Sequence, residues 1–318
     1  MKKIGIALYG ANGHQIGGAL NNHPRARLVA VAALDPPDYA PGVRRYAALD
    51  GILADEEVQL VSLCSPRRAD QARDALRCLA AGKHVYAEKP CALNEADLDR
   101  IIEKAKQGPA RFREMAGTAF EEPYLTMGDI VRSGRLGPIV QVFAQKSYPL
   151  GNNRPQDETV VGGIITWVGV HALRFVEHIT GIRIREIEAV ETALGNPGQG
   201  DLRTAACLMM RLDNGAVASV ICNYMNPPGF GRHGNEHVRI FGTLGFVEAT
   251  DGGTRTRLVI GKDDLGPLAC RKNVITYEDL YINELLGLGA MPLSLEDELH
   301  PTRMALRAKQ NADARRAR

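Results

Sequence analysis

At 318 residues the chain is long enough for two domains, each with a core of its own. Its 45% hydrophobic and 24% charged residues describe a globular protein, and a formal net charge of +2 favours neither nucleic acid nor an anionic membrane as a partner. No apolar run nears the roughly 20 residues that span a bilayer, and Met1-Lys2-Lys3 leads into a strand pattern, so a cytoplasmic protein is expected. The six cysteines (Cys64, Cys78, Cys91, Cys207, Cys222, Cys270) form no CxxC pair and have no histidine at metal-ligand spacing. They are read as packing groups, with no disulfide and no zinc. The basic end from Asp313 onward reads as a solvated helix terminus, not a nucleic-acid tail.

The first third alternates strand and helix. Lys3–Tyr9 is a buried strand, Gly10-Ala11-Asn12-Gly13 turns the chain, and a helix is expected from His14. Leu28–Leu34 is a near-continuous apolar run ending at Asp35, as in a parallel strand covered on both faces. A short helix near Leu49 precedes a strand at Val58–Leu63. A helix at Ala69–Ala81, stopped by Gly82, precedes a strand at His84–Glu88. This βαβαβαβ order predicts a doubly wound parallel sheet of Rossmann type with its ligand crevice beyond the carboxyl ends of the strands.

The glycine turn departs from G-x-G-x-x-G, since Asn12 and Gln15 hold two of the glycine positions. Gly10 can still make the tight turn, and Gly13 can let backbone amides approach a pyrophosphate at a helix N-terminus. Asp35, at the end of the second strand, can accept both ribose hydroxyls and would repel a 2′-phosphate, which points to NAD over NADP. Arg44 and Arg45 lie close enough in sequence to soften that preference.

After the fourth full strand comes Ala87-Glu88-Lys89-Pro90. Proline cannot extend the ladder, so Lys89 should leave the sheet at its carboxyl end, facing the nicotinamide side of the crevice. The stretch from Ala80 to Pro90, AAGKHVYAEKP, resembles the Gfo/Idh/MocA oxidoreductases, the glucose–fructose oxidoreductase and inositol dehydrogenase family. Cys64-Ser65-Pro66 looks like the family's Thr-Pro turn over the cofactor, although the histidine often found a few residues later is absent from Arg67–Gln71. The resemblance implies cofactor contacts from Gly10, Asn12, Gly13, His14, Gln15, Asp35, Ser65, Pro66, Glu88 and Lys89.

Beyond Gly117 the pattern changes. A Pro123-started helix and a strand at Ile139–Ser147 are followed by strands near Ile184–Thr192, Arg203–Leu212, Ala216–Asn223, His237–Phe241 and Phe246–Thr250, with the tight turn Asp213-Asn214-Gly215 between two of them. A helix over Pro301–Asn311 closes the chain. The expected division is a dinucleotide-binding domain over 1–118 and, over 119–318, an α/β domain with a large, mostly antiparallel open sheet for substrate binding and oligomerisation. The face of that sheet is a plausible dimer surface, as in the family, and a homodimer or homotetramer is expected.

In the family the active-site helix reads Gly-Gly-Gly, a few residues, then Asp-x-Gly-x-His. Here Gly162-Gly163 is followed by Trp167-Val168-Gly169-Val170-His171: the spacing survives and the acid has become the single tryptophan. Four-residue spacing puts Trp167 and His171 on one α-helical face, with Gly169 leaving room for close approach. The resemblance implies His171 as general base and acid, with Lys89 holding the reacting oxygen and stabilising alkoxide character. Trp167, Tyr148, Asn152 and Asn153 are the expected substrate contacts. His178 reads as helix surface, and His233 and His237 as hairpin residues, so no metal site is expected. The implied activity is hydride transfer between NAD and a sugar, polyol or related hydroxy or oxo compound. The alternatives are a non-catalytic NAD(P)-binding regulator and a reductase of an imine- or enone-type substrate.

Overall fold

The computed structural model describes residues 3–115, 117–151, 154–272 and 274–316. It divides into two compact units, one formed by Met1–Met115, Thr159–Val161 and Tyr277–Leu299, the other by Ala116–Glu158, Gly162–Thr276 and His300–Arg318.

The first unit is built on a six-stranded parallel sheet of β1 (Ile4–Tyr9), β2 (Ala26–Ala32), β3 (Arg44–Tyr46), β4 (Leu60–Leu63), β5 (His84–Ala87) and β6 (Phe112–Glu114), in the order β3-β2-β1-β4-β5-β6. This is the doubly wound order, and its direction reverses between β1 and β4, where such sheets bind their ligands. Ile6, Ala7, Leu8, Leu60, Val61 and Leu63 are buried, which explains their unbroken apolar runs. Helices α1 (Leu49–Ala54), α2 (Gln71–Ala80) and α3 (Glu95–Gln107) lie between successive strands from β3 to β6. The Asn94 side chain caps α3 by accepting the Asp97 amide at 2.8 Å.

Two details differ from the sequence expectation. No α-helix starts at His14; the chain makes only a 3₁₀ turn over Ile16–Leu20. Gly17, Gly18 and the Asn21-Asn22 pair give it little helical propensity, and Gln15 folds back to donate to the Tyr9 and Gly10 carbonyls at 2.9 and 2.8 Å. No strand was expected between Asp35 and the helix near Leu49, yet β3 lies there and carries Arg44 and Arg45, paired in parallel with Ala30 and Val31.

The second unit opens with α4 (Tyr124–Arg132) and β7 (Ile139–Ser147); the short α5 (Glu158–Val161) falls at a boundary, with Thr159–Val161 in the first unit, and a longer helical run containing α6 (Val170–Arg174) follows in the second. Strands β8 (Ile184–Thr192), β9 (Ala205–Leu212), β10 (Val217–Asn223), β11 (Asn235–Gly242), β12 (Gly245–Thr250), β13 (Arg255–Ile260) and β14 (Asp263–Gly266) follow. They form an eight-stranded sheet, β14-β13-β12-β11-β7-β10-β9-β8. Only β7 and β10 run parallel, and every other pair is antiparallel. Val142, Ala144, Leu208, Met210, Val220, Val238 and Ile240 point inward to a core shared with Ile164, Val168, Leu173 and Phe175 of the helical run.

That run is irregular. Gly162 and Gly163, at φ 104° and 81°, interrupt the helix after α5, and π-helical turns over Ile165–Gly169 and Phe175–Ile179 flank α6. By length and composition the stretch Glu158–Ile179 could cross a membrane, contrary to the sequence reading, but 83% of its most apolar window is buried inside the protein. It is a core helix.

The chain then forms α7 (Tyr277–Leu285) and α8 (Leu295–Arg316). The last helix begins earlier than expected because Ser294 Oγ accepts the Asp297 amide at 3.1 Å, so Pro301 lies within it. Residues 277–299 belong to the first unit. There the buried Glu298 carboxylate accepts from the Glu114 amide at 2.7 Å, Tyr277 Oη at 2.5 Å and Arg113 Nη1 at 3.2 Å.

Candidate functional site

In the first unit the turn after β1 and the turn after β4 meet at the switch point. Gly10, at φ +76°, has no room for a side chain: a Cβ would collide with the Cys64 carbonyl oxygen. Gly13, at φ +133°, would place a Cβ 2.8 Å from Glu88 Cγ. Both positions therefore demand glycine. Ala11, Gly13 and His14 are exposed, so the backbone of this turn is presented to solvent, as a pyrophosphate requires. Because a 3₁₀ turn replaces the helix, that binding would rest on the turn's own amides and not on a helix dipole.

The polar side chains around the turn are largely committed to holding it. Asn12 Nδ2 donates to the Val160 carbonyl at 2.5 Å, and the Asn12 carbonyl accepts from Arg68 Nη2 at 2.6 Å. Gln15 Oε1 accepts from Ser62 Oγ. Ser65 is buried, its hydroxyl donating to Asp74 Oδ2 at 2.8 Å and its amide to Gln71 Oε1 at 3.2 Å. Pro66 follows at the same switch point.

Asp35 lies past the end of β2 with its carboxylate almost wholly exposed, 3.8 Å from Arg45 Nη1. Arg44 instead pairs with Asp55 at 3.3 Å and Glu57 at 3.2 Å, which ties it to acids of its own unit. The exposed turn, a switch-point glycine and the exposed Asp35 beyond β2, with Arg45 beside it, fit an NAD dinucleotide.

Lys89 follows β5 and is not on the surface: it is 1% exposed and Glu88 is 0%. Its Nζ is 3.6 Å from Glu88 Oε1. The other carboxylate oxygen accepts the His14 amide at 3.2 Å and faces His14 Nδ1 at 3.2 Å. Burial alone would push the Glu88 carboxyl up, but Lys89, His14 and Arg68 together outweigh it and hold it below the usual carboxylate range. Gln71 Nε2 donates to the Glu88 carbonyl and to the Pro90 carbonyl, the latter at 3.3 Å. On the other side the Cys91 amide donates to Glu114 Oε1 at 2.7 Å. Arg68, Gln71 and Glu114 were not anticipated. Arg68 and Gln71 sit where the family's histidine is missing, which was the available hint.

In the second unit His171, on α6, is buried and its Nδ1 is 3.2 Å from Thr118 Oγ1. Trp167 falls in a π-helical turn, half-buried against the apolar core. The α-helical spacing argument for its position beside His171 therefore does not carry over, since a π turn widens the helix and shifts its faces. Gly169 serves packing: a Cβ there would stand 3.3 Å from Cys222 Sγ on β10. His178 is not a surface residue but half-buried, its ring 5.9 Å from that of Phe120.

Tyr148 is buried edge-on to His171, with ring centroids 6.4 Å apart, and it stacks on His233 at 4.7 Å. Lys146 Nζ lies 5.0 Å from the Tyr148 ring centre and is ion-paired with Glu236. The hairpin reading of His233 thus gives way to a place beside Tyr148. His237, by contrast, pairs with Glu248 at 2.8 Å. Asn152 and Asn153 lie outside the described residues. Of the thiols, Cys64, Cys78, Cys91 and Cys222 are buried, whereas Cys207 and Cys270 are exposed and do not fit the packing reading. Among the described residues no group of three or more His, Cys, Asp or Glu could hold a metal.

The model of the oxidoreductase family with an NAD-binding Rossmann fold (GFO_IDH_MocA) matches residues 2–114, and that of the GFO/IDH/MocA C-terminal domain matches residues 124–248. The chain is 25% identical to myo-inositol 2-dehydrogenase of Thermotoga maritima over 245 residues, which is 74% of this chain and 69% of that protein. It is 25% identical to inositol 2-dehydrogenase 2 of Saccharopolyspora erythraea over 273 residues, 84% of this chain and 74% of that protein. A solved structure of an oxidoreductase from Thermotoga maritima superposes with a TM-score of 0.87 at 26% identity, covering 97% of this chain and 98% of that one. With the two family models matching residues 2–114 and 124–248 and the doubly wound sheet in place, the chain is an NAD-binding oxidoreductase of the Gfo/Idh/MocA family.

Proposed function

We propose that the protein is a cytoplasmic, homo-oligomeric dehydrogenase that oxidises a CH–OH group of a sugar or polyol with NAD, residues 1–118 binding the dinucleotide and 119–318 the substrate. The observation that carries this reading is the buried Lys89, poised at the end of β5 and charge-compensated by Glu88. The two inositol dehydrogenase relatives support the substrate class.

The nicotinamide, when bound, supplies the acceptor for hydride at its C4 carbon. Asp35 and the Gly10–Gln15 turn hold the dinucleotide, with His14 and Glu88 bracketing the turn. Lys89, ion-paired with Glu88, donates a hydrogen bond to the substrate oxygen and stabilises the negative charge that develops as its proton leaves. His171 takes that proton. In the tautomer that donates Nδ1–H to Thr118 Oγ1, Nε2 carries the basic lone pair that takes the proton. Tyr148 offers its ring to the same substrate, and Trp167 offers an apolar wall where the family's acid would have bound a hydroxyl.

The outer face of the large sheet exposes Val190, Met209 and Val217 between charged neighbours such as Glu188 and Arg211, a mixed face that supports association with a second copy of the chain. Trp167 in place of a carboxylate also favours a second reading, reduction of an imine or enone, in which a donor suffices. The deciding experiment is a turnover screen in both directions, with NAD and polyols or aldoses against NADH and unsaturated substrates. NAD-dependent oxidation abolished by His171→Ala supports the proposal, and turnover in the reducing direction alone overturns it. Binding of NADH without any turnover would support the regulatory alternative.

A further inference from the structure

Strand β6 pairs in parallel with β5, and the last register sets Glu114 beside Ala87. The ladder closes one step later, where the Met115 amide donates to the Ala87 carbonyl at 2.7 Å. Beyond that point the run Lys89-Pro90-Cys91 lies outside the sheet, and Pro90 has no amide with which to rejoin it. Side chains hold the run instead. Gln71 Nε2 donates to the Glu88 and Pro90 carbonyls, and Glu114 Oε1 accepts the Cys91 amide at 2.7 Å. The peptide before Lys89 is thus held by Gln71, and the peptide between Pro90 and Cys91 is gripped by Gln71 on its carbonyl and by Glu114 on its amide. Both side chains are fully buried.

Glu114 is itself held. Strand β6 is an edge of its sheet, and the Glu114 amide, which points away from β5, donates to Glu298 Oε1 at 2.7 Å. Neither carboxylate is exposed, and they repel each other, since Glu114 adds to the burial that raises the Glu298 carboxyl. Two neighbouring buried carboxylates cost the fold, and a neutral side-chain carbonyl could satisfy the Cys91 amide as well. What a carboxylate adds is a shorter and stronger hydrogen bond. The gain is rigidity of the turn. A lysine on its flexible four-carbon stem places its ammonium to within a fraction of an ångström only if its backbone is fixed.

We infer that Glu114 is a positioning residue for the reaction: by gripping the Cys91 amide it fixes the Lys89-Pro90 turn so that Lys89 Nζ meets the reacting oxygen, and Glu298, from the far end of the chain, holds Glu114 in place. The inference rests on the dehydrogenase reading of Lys89. Both acids act through the Lys89 backbone and not on the substrate itself, which gives residues 277–299 a part in turnover.

The test follows the Lys89 Cε signal by NMR in the full chain with isotope-labelled lysine and NADH bound, the signal being assigned by its loss in Lys89→Met. Turnover with NAD and myo-inositol, glucose or sorbitol is measured in parallel. Glu114→Asp keeps the charge but withdraws the acceptor, Glu114→Met removes both, and Glu114→Gln keeps the acceptor without the charge. In the first two the Lys89 signal should shift or broaden and kcat should fall about tenfold to a hundredfold at nearly unchanged KM. Glu114→Gln should restore the native signal, and kcat to within about threefold. Glu298→Ala should move the Lys89 signal in the same direction as Glu114→Asp, and its failure to do so removes Glu298 from the account. A native signal and kcat in both Glu114→Asp and Glu114→Met, or equal losses in Glu114→Gln, overturns the positioning role. Polyol oxidation by the native protein and by Glu114→Asp at the same kcat would remove that role and leave the dehydrogenase reading. A Lys89 signal that follows the acceptor at 114, in a native protein that oxidises no polyol, would do the reverse.

Discussion

The two units assemble their polar groups in opposite ways. In the first, Gly10, Ser65, Glu88 and Lys89 each follow a parallel strand within a few residues, and they are locked together by Gln71, Arg68 and Glu114. In the second, Thr118, Lys146, Tyr148, His171, His233 and Glu236 come from separate stretches, gathered by the pairing of β7 with β11 and by the seating of α6 on the sheet. The first site is specified by where strands end. The second is specified by which strands are neighbours.

The sharpest way to test this contrast is to remove the two groups expected to meet the reacting oxygen. Lys89→Met and His171→Ala should each lower turnover about 10²- to 10⁴-fold, with NADH binding, followed by fluorescence, retained. Loss of NADH binding in His171→Ala would break the assignment of separate roles to the two units.

Glycine substitutions should separate the switch point from packing positions. Gly10→Ala meets a backbone carbonyl and has a positive φ, and a loss of about 3 kcal/mol or more in denaturant unfolding is expected. Gly169→Ala meets Cys222 Sγ at 3.3 Å and should cost about 1 kcal/mol. Equal costs would mean that the two strand ends are not as closely apposed as described.

The first unit also carries a pH signature. Burial pushes the Glu298 carboxyl up to about 7. A carboxyl raised above its unfolded value binds its proton more tightly in the folded state, so its destabilising effect is absent below about pH 4.5 and grows as the pH rises through 7. Native stability should fall by up to roughly 3 kcal/mol across that window, and Glu298→Gln should flatten the dependence in a melting series from pH 5 to 8. An identical slope in the variant would remove Glu298 as its source.

The smallest effect concerns cofactor choice. Asp35→Ser should shift the NADH-to-NADPH affinity ratio by about tenfold toward NADPH, close to the 1.4 kcal/mol that one such factor represents. An unchanged ratio would mean that Asp35, exposed as it is, does not face the ribose.

Much of the first unit was legible because parallel strands buried on both faces must be continuously apolar, and because glycine and proline mark where they stop. Lys3–Tyr9, Gly10 and Glu88-Lys89-Pro90 show this directly. The helix expected at His14 failed because a strand followed by a turn suggests a helix, while Gly17, Gly18 and Asn21-Asn22 oppose one. β3 and β6, of three residues each, are too short to leave a period, and the return of residues 277–299 to the first unit has no local mark. In the second unit strand positions could be read from alternation, and so could Lys146 as its violation at an inward position.

By itself, then, the sequence determined the class of each unit, the strand-end turn bearing Lys89 and the family pattern around His171, because all of these depend on residues close together in the chain. Only the tertiary structure decided that Lys89 is buried against Glu88, that the His171 helix is broken by π turns and that Lys146 meets Glu236. Those are matters of strand register and burial, which arise from contacts between residues far apart in the chain and leave no periodic trace in it.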